Sequence, residues 1–148
     1  MILLDTDHVT VLRMPHSARR DRLVARLAAA TDEEVGVAVV TVEEQMRGWL
    51  AAIAKERQPR RQVGPYRELA GLFAFFAEFT IAPFDDAAVA LFEQYGRIRI
   101  STMDRKIAAT AIANNALLLT ANRRDYEQIP GLRFENWMDE PPPPPPAS

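Results

Sequence analysis

Short apolar runs alternate with longer amphipathic segments along most of the chain. The runs ILLD, VGVAVV and ALLLT, which begin at residues 2, 35 and 116, are apolar at successive positions. Such continuous runs are typical of strands buried on both faces of a parallel sheet. FTIAPF and LRFENW are candidates for shorter strands. Because helical segments separate these runs, the pattern predicts an α/β architecture with a mainly parallel sheet.

Capping residues and prolines predict where the helices begin and end. The helix after the second strand should run to about Lys55, and Pro59 and Gly64-Pro65 should break the chain before the next helix, YRELAGLFAFFAEF. The expected N-caps of four helices are Ser17, Thr41, Asp85 or Asp86, and Ser101 or Thr102.

Length and composition predict one domain with a substantial core, since 48% of the 148 residues are hydrophobic. No apolar run approaches the roughly 18 residues of a membrane span, and the opening run is too short for a signal peptide. The chain contains no cysteine, which excludes disulfides and thiolate zinc sites. We therefore expect a cytoplasmic protein with a folded domain over residues 1–138 and a disordered polyproline tail over residues 139–148.

Arginines cluster in two segments, although the net charge of the chain is −2. A solvated helix face is the ordinary explanation for such clusters, and a surface that binds nucleic-acid phosphates is the sharper one. The candidate phosphate-binding residues are Arg13, Arg57, Arg60 and Arg61.

Acidic residues follow the predicted strands, where ligands of open α/β sheets bind. Asp5 ends the first strand, and a glutamate pair, Glu43 and Glu44, lies in the first helical turn after the second. Asp125 follows the third strand closely, and Asp104 begins a helix of its own. Helical periodicity does not decide between the two glutamates.

Asp104 lies in the middle of the apolar stripe of its helix, whereas an acid that only assists a helix cap would lean toward water. A buried carboxylate needs a positive partner or it becomes protonated. If four acids converge, each pair of charges at about 4 Å costs roughly 4 kcal/mol even at an effective dielectric near 20. Oxygen-only ligands of this kind favour Mg²⁺ or Mn²⁺.

The opening ILLDTDHV also fits an aspartate-nucleophile phosphatase, in which Asp5 would be the nucleophile and Asp7 the general acid. Such an enzyme also needs a phosphate-binding lysine and a late pair of acids. Lys106 is the only lysine beyond Lys55, and TANRRD lacks the acidic pair. This alternative is therefore disfavoured, and the ordinary role of Asp7 would be to cap a helix.

Four motifs, in order and across nearly the whole chain, resemble the PIN-domain ribonucleases, specifically the VapC-type toxins of bacterial toxin–antitoxin pairs. LLDTD resembles the opening strand of the family, and VVTVEEQMRG resembles its T-x-x-E-x-x-x-G segment. DRKIAATAIANNALLLTANRRDY resembles D-x-x-I-A-A-x-A followed by a strand and T-x-N-x-x-D-[FY], and IPGLRFENW resembles the end of the family's domain. The resemblance implies a three-layer α/β/α fold with a mainly parallel central sheet of four to five strands.

The resemblance also implies a set of site residues. Asp5, Glu44 and Asp104 become metal-binding catalytic acids, with Glu44 selected because it precedes Gly48 by four positions. Many members have aspartate where Asn122 stands, so either Asn122 or Asp125 completes the site. The expected supporting residues around these acids are Thr6, Thr120 and Asn122.

By the same resemblance we expect an endoribonuclease that depends on Mg²⁺ or Mn²⁺ and hydrolyses RNA phosphodiester bonds. Its expected partners are an RNA substrate, a cognate antitoxin protein and a second copy in a homodimer, with no membrane. A non-catalytic module that binds RNA or protein is a further alternative. His8 and His16 have no third nitrogen or sulfur ligand nearby in the sequence and are expected to be incidental.

Overall fold

Five short strands and seven helices alternate along the chain in a computed structural model that describes residues 1–141 and 143–147. The strands are β1 (Ile2–Leu4), β2 (Val35–Ala38), β3 (Thr80–Ala82), β4 (Leu117–Leu119) and β5 (Arg133–Glu135). The helices are α1 (Thr6–Arg13), α2 (Ala18–Ala29), α3 (Val39–Lys55), α4 (Pro59–Phe76), α5 (Asp86–Gln94), α6 (Thr102–Ala113) and α7 (Arg123–Tyr126).

The strands form one parallel sheet in the order β3-β2-β1-β4-β5. Strands β2 and β3 lie on one side of β1, and β4 and β5, which come later in the chain, lie on its other side. The carboxyl ends of β1 and β4 therefore meet at a topological switch point, where ligands of open α/β sheets bind. Leu4 pairs with Leu119 in this register, so Asp5 and Thr120 leave the sheet side by side.

Alternate strand residues pack into two cores on opposite faces of the sheet, as the twofold repeat of a strand requires. Leu3 and Leu118 belong to a core with residues of α5 and α6, whereas Leu4 and Leu119 belong to a core with residues of α1, α2 and α4. Helices thus cover both faces, and the predicted three-layer α/β/α fold with a parallel sheet is confirmed.

The second strand is shorter than VGVAVV suggested, and Thr41 is not the N-cap of the following helix. Helix α3 already begins at Val39, its N-cap is Ala38, and no side chain caps it. Thr41 is fully buried within the helix, and its hydroxyl has no hydrogen-bond partner among the described residues. A run of valines fits a strand and a first helical turn equally well, and here Val40 and Thr41 are buried while Val39 is exposed, as on a helix with one buried side.

The predicted break at Gly64-Pro65 is wrong, because both residues lie inside the continuous helix α4. Pro59 instead occupies the first turn, where its missing N–H is not needed. An interior proline removes a helical hydrogen bond. Leu72 and Phe76, both buried in the core with α3 residues around them, hold the helix together despite that loss.

The remaining caps follow the sequence closely. Ser17, Asp85 and Ser101 each accept a hydrogen bond from a backbone N–H in the first turn of their helices. Gly36 is required where β2 meets β3, since a Cβ atom there would lie 2.5 Å from the carbonyl oxygen of Thr80. The short helix α7 was not predicted.

Met138 is fully buried, and each described residue after it is exposed. The predicted tail over residues 139–148 includes residues 142 and 148, which lie outside the described residues, so the domain boundary stays a prediction. Within the described part of the chain, no helix combines the length and apolar character needed to cross a membrane.

Candidate active site

Asp5 occupies the switch point of the sheet and is also the N-cap of α1. Its backbone N–H donates to the carbonyl of Leu119 and continues the β1–β4 pairing. One carboxyl oxygen, Oδ1, accepts from the backbone N–H of Thr6 at 2.8 Å. The other, Oδ2, accepts from the hydroxyl of Thr120 at 2.8 Å. Two strands and a helix therefore fix this side chain, which is only 5% exposed.

The environment of Asp5 opposes its ionisation. Burial and the nearby charge of Asp7 raise the pKa of Asp5 to about 7, with a smaller contribution from the charge of Asp104. The hydrogen bonds from Thr120 and Thr6 act in the opposite direction and favour the carboxylate. Asp5 is thus a buried acid that donors orient and that forms no ion pair with a basic side chain among the described residues.

Of the two adjacent glutamates on α3, Glu44 contacts Thr6, the residue after Asp5, whereas Glu43 pairs with Arg47. The hydroxyl of Thr6 donates to Oε2 of Glu44 at 3.3 Å, and Oε1 is buried without a hydrogen-bond partner among the described residues. Glu43 instead pairs with Arg47 at 2.8 Å on the outer face of the helix. Burial, followed by the charge of Asp104, raises the pKa of Glu44.

Asp104 lies half-buried in the first turn of α6, as its place in the apolar stripe predicted. The hydroxyl of Tyr126 donates to its Oδ1 at 3.2 Å. Burial is the main reason that the pKa of Asp104 is raised, and the charges of Asp125 and Asp7 add to it. Tyr126 is itself fully buried, and burial together with the charges of Asp5 and Asp104 raises its pKa, so its hydroxyl stays a donor.

Asn122 lies between Asp104 and Asp125. Its side-chain N–H₂ group donates to Oδ2 of Asp125 at 3.1 Å and approaches Oδ2 of Asp104 at 3.5 Å. Its backbone N–H donates to the hydroxyl of Thr120 at 3.0 Å. In this arrangement the amide nitrogen faces the carboxylates, which favours a supporting role for Asn122 and leaves Asp125 as the acid at the edge of the site.

The site joins three acids from three elements, Asp5, Glu44 and Asp104, and the charge of Asp104 raises the pKa of both others. Among the described residues, none of these acids forms an ion pair with a basic side chain. No three acids or histidines of residues 1–141 and 143–147 form a ready-made metal site. The chemistry of the site nevertheless fits a hard divalent cation, because its donors are all oxygen atoms and Oε1 of Glu44 is buried without a partner.

The arginines that we expected at the RNA surface differ in their surroundings. Arg57, Arg60 and Arg61 are exposed around the start of α4. Arg13 is largely buried: its guanidinium pairs with the Glu68 carboxylate at 3.1 Å and also donates to the Glu68 carbonyl. Arg13 therefore joins α1 to α4, and its role in RNA binding stays a prediction.

Two residues contribute more than the sequence suggested. Asp7 is not the cap of α1, which is Asp5; its Oδ2 instead accepts from the backbone N–H of Ala121 at 2.8 Å. His8, expected to be incidental, is fully buried, and its Nδ1 lies 2.6 Å from Oδ1 of Asp7. The sequence signal that could have pointed to this contact is the histidine directly after the Asp5-Thr6-Asp7 run.

Solved structures of known proteins share the fold of this chain. A chain of VapBC2 from Rickettsia felis, in a structure bound to a DNA fragment from the promoter, is 25% identical with a TM-score of 0.69, over 93% of this chain and 99% of that chain. FitAcB from Neisseria gonorrhoeae matches at 24% identity and a TM-score of 0.69, over 93% and 98% of the two chains. VapBC-1 from nontypeable Haemophilus influenzae matches at 17% identity and a TM-score of 0.74, over 94% and 100%.

No curated protein sequence matches the chain. The profile of the PIN domain matches residues 2–132, which is most of the chain. The family match and the shared fold confirm the resemblance that the four sequence motifs indicated. The chain belongs to the PIN domain family.

Proposed function

We propose that this protein is a metal-dependent endoribonuclease and the toxin of a toxin–antitoxin pair. The observation that carries the proposal is that the charge of Asp104 acts on both Asp5 and Glu44, while none of the three acids has a basic partner among the described residues. Membership of the PIN domain family and the likeness to VapBC structures support it. The proposed substrate is cellular RNA, so the expected location is the cytoplasm.

Asp5, Glu44 and Asp104 would hold Mg²⁺ or Mn²⁺, with Asp125 completing the site directly or through water. A cation there would polarise the scissile phosphate and make water a better nucleophile. The remaining work falls to the residues of the chain. Thr6 and Thr120 orient the carboxylates by donating hydrogen bonds to them. Tyr126 and Asn122 do the same for Asp104 and Asp125.

Exposed arginines near the start of α4 would bind RNA phosphates outside the site. Arg57, Arg60 and Arg61 are the candidates, because the described structure gives them no acidic partner. Contacts of this kind depend on backbone charge and carry little sequence information, so the shape of a loop or a single strand would determine which RNA is cut.

Cleavage of single-stranded RNA by the purified protein in Mn²⁺ tests the proposal directly. We expect cleavage that EDTA abolishes and that Asp5→Asn, Glu44→Gln and Asp104→Asn each reduce by at least about a hundredfold. Glu43→Gln is the matched control, since its side chain is on the same helix but pairs with Arg47. Undiminished cleavage by a folded Glu44→Gln variant would overturn the assignment of the site.

The antitoxin and the homodimer are further parts of the proposal. The expected antitoxin is the product of a small neighbouring reading frame with a DNA-binding fold. Co-expression of that product should give a stable complex that no longer cleaves RNA, and light scattering of the isolated protein should give twice the mass of one chain. Full cleavage by the complex would contradict the antitoxin part alone.

The phosphatase alternative loses support at two places in the structure. Among the described residues, no lysine or arginine forms an ion pair with Asp5, so the structure offers no basic side chain there to bind the phosphate of a phosphomonoester. The ammonium group of Lys106 lies over the ring of Phe84, at 5.6 Å from its centre. We therefore expect no phosphoenzyme and no hydrolysis of small phosphomonoesters.

A further inference from the structure

His8 is fully buried, and its two ring nitrogens have different partners. Nε2 lies 3.2 Å from the backbone nitrogen of Trp137, whose N–H can only donate. Nε2 therefore accepts and carries no proton. The proton of the neutral ring is on Nδ1, which donates to Oδ1 of Asp7 at 2.6 Å. The two contacts together define one tautomer of His8.

Asp7, which His8 contacts, also contacts the loop that follows β4. Its second oxygen, Oδ2, accepts from the backbone N–H of Ala121 at 2.8 Å and lies 3.3 Å from the hydroxyl of Thr120. That loop also carries Asn122, whose side chain lies between two acids of the candidate site. The position of Asp7 therefore affects the position of the loop.

Asp7 lies close to two acids of the candidate site, and two donors hold its carboxyl group in place. Its charge raises the pKa of both Asp5 and Asp104. The side chain is 32% exposed and has a path toward water. The Nδ1–H group of His8 and the N–H of Ala121 oppose that movement, one at each carboxyl oxygen.

The other end of the His8 ring is anchored by the last buried residues of the domain. The guanidinium of Arg26 lies over the ring of Trp137 at 4.8 Å, and Nε1 of Trp137 donates to Glu135 at 2.9 Å. Nε of Arg22 donates to the carbonyl of Met138 at 2.7 Å. These contacts fix the position of the Trp137 backbone N–H, which donates a hydrogen bond to His8.

We propose that His8 is a positioning residue, which orients Asp7 so that Asp7 holds the Thr120–Asn122 loop beside Asp5. The buried C-terminal segment, Trp137–Met138, thereby supports the candidate active site through a single imidazole. The inference rests on the proposed function only in that the loop it positions belongs to the proposed nuclease site. Neither His8 nor Asp7 is expected to touch the substrate.

The tautomer of His8 can be measured in the whole wild-type protein by ¹⁵N-resolved NMR of the imidazole at neutral pH. We expect a protonated Nδ1 and an unprotonated Nε2 with a hydrogen bond from the Trp137 amide. A protonated Nε2 would overturn the proposal without any substitution. This measurement needs neither RNA nor metal.

Two substitutions separate positioning from packing. In His8→Asn the side-chain amide reaches the position of Nδ1, so its N–H₂ group can still donate to Asp7. In His8→Gln the amide reaches the position of Nε2, so its oxygen can still accept from the backbone N–H of Trp137. If His8 acts by orienting Asp7, hydrogen exchange at the Ala121 amide becomes about tenfold faster in His8→Gln and changes little in His8→Asn. The opposite order would assign His8 a packing role and overturn the proposal.

RNA cleavage gives an independent measurement in the same variants. We expect kcat to fall roughly 10–100-fold in His8→Gln with little change in KM, as is usual for residues that orient a catalytic group, and to be largely retained in His8→Asn. If neither variant folds, Asp7→Ala, which changes a partly exposed side chain, should speed exchange at Ala121 in the same way. Unchanged hydrogen exchange at the Ala121 amide in all folded variants would overturn the proposal that His8 positions Asp7. Absence of RNA cleavage by the wild type would overturn only the proposed function.

Discussion

The hydroxyl of Thr120 donates to Oδ2 of Asp5 across the switch point of the sheet, at 2.8 Å. The contact follows from the register, because Leu4 and Leu119 pair and the next residue of each strand leaves the sheet at the same edge. It orients a carboxyl group whose pKa burial and the charge of Asp7 raise to about 7. We therefore expect this buried acid to make the stability of the protein depend on pH.

We predict that Asp5→Asn stabilises the metal-free protein at pH 8 more than at pH 5. The folded-state pKa of Asp5, about 7, lies above the ordinary aspartate value of 3.8, so the folded protein retains a proton that the unfolded chain has released. Stability therefore falls as pH rises from about 4 to about 7, by on the order of 3 kcal/mol in all. Asparagine does not titrate, and its amide can keep both contacts because the Thr120 hydroxyl can also accept.

Urea unfolding in EDTA at pH 5 and pH 8 measures this effect. Asp32→Asn is a suitable control, since Asp32 is exposed. Parallel pH dependence of the wild type and Asp5→Asn would mean that Asp5 is ionised in the folded protein throughout this range.

A second prediction concerns the buried hydroxyl of Tyr126, which donates a hydrogen bond to Asp104. Tyr126→Phe removes a donor that lowers the pKa of Asp104, so the pKa of this acid should rise further. A metal ligand must be deprotonated, and Mn²⁺ affinity should therefore fall by roughly tenfold at neutral pH and by more at pH 6. Calorimetric titration with Mn²⁺ measures the change.

Tyr95→Phe is the matched control for Tyr126→Phe. Tyr95 is also a buried tyrosine, and burial alone raises its pKa. The two substitutions remove the same atom from a buried ring, so equal losses of Mn²⁺ affinity would show that the hydroxyl of Tyr126 does not act through Asp104.

A third prediction concerns stabilisation by the metal. Mg²⁺ or Mn²⁺ at a hundred times its dissociation constant should stabilise the folded protein by about 2.7 kcal/mol, because the unfolded chain offers no assembled site. The stabilisation should be lost in Glu44→Gln and Asp104→Asn and retained in Glu43→Gln. Thermal unfolding with and without the cation measures it. A full response in Asp104→Asn would require a binding site elsewhere.

The positions of the acids could be predicted from the sequence because they depend on local signals. Asp5 follows an apolar run, and the carboxyl ends of parallel strands are where ligands bind. Asp104 interrupts an apolar stripe of the helical repeat. Glu44 was chosen over Glu43 by family resemblance rather than by periodicity, and the structure turns Glu44 toward Thr6 and Glu43 toward Arg47.

The contacts of His8 and Asp7 could not be predicted, because they join residues far apart in the chain. Trp137 donates to His8 across 129 positions, and Ala121 donates to Asp7 across 114. No periodicity encodes such pairs, which exist only after the sheet has closed. Local rules also failed where packing outweighed them, as at Pro65, which a helix accommodates because the residues after it are buried against α3.

The last prediction concerns the exposed arginines at the start of α4. Each arginine that contacts an RNA phosphate releases counterions, so the logarithm of the binding constant changes with the logarithm of salt concentration by about −0.7 per contact for a single strand. Arg57→Gln, Arg60→Gln and Arg61→Gln should each reduce the steepness of that dependence by up to this amount. Binding of RNA to the non-cleaving Asp104→Asn variant at several salt concentrations measures it.

Arg133→Gln should leave the salt dependence unchanged. Arg133 is the first residue of β5, at the edge of the sheet opposite the acids, and it donates to the carbonyl of Asn115. Arg13→Gln should have little effect on the slope as well, since Glu68 already holds its guanidinium, and should reduce stability instead. A slope that changes equally for Arg133 and Arg60 would mean that RNA responds to total charge and not to a surface at α4.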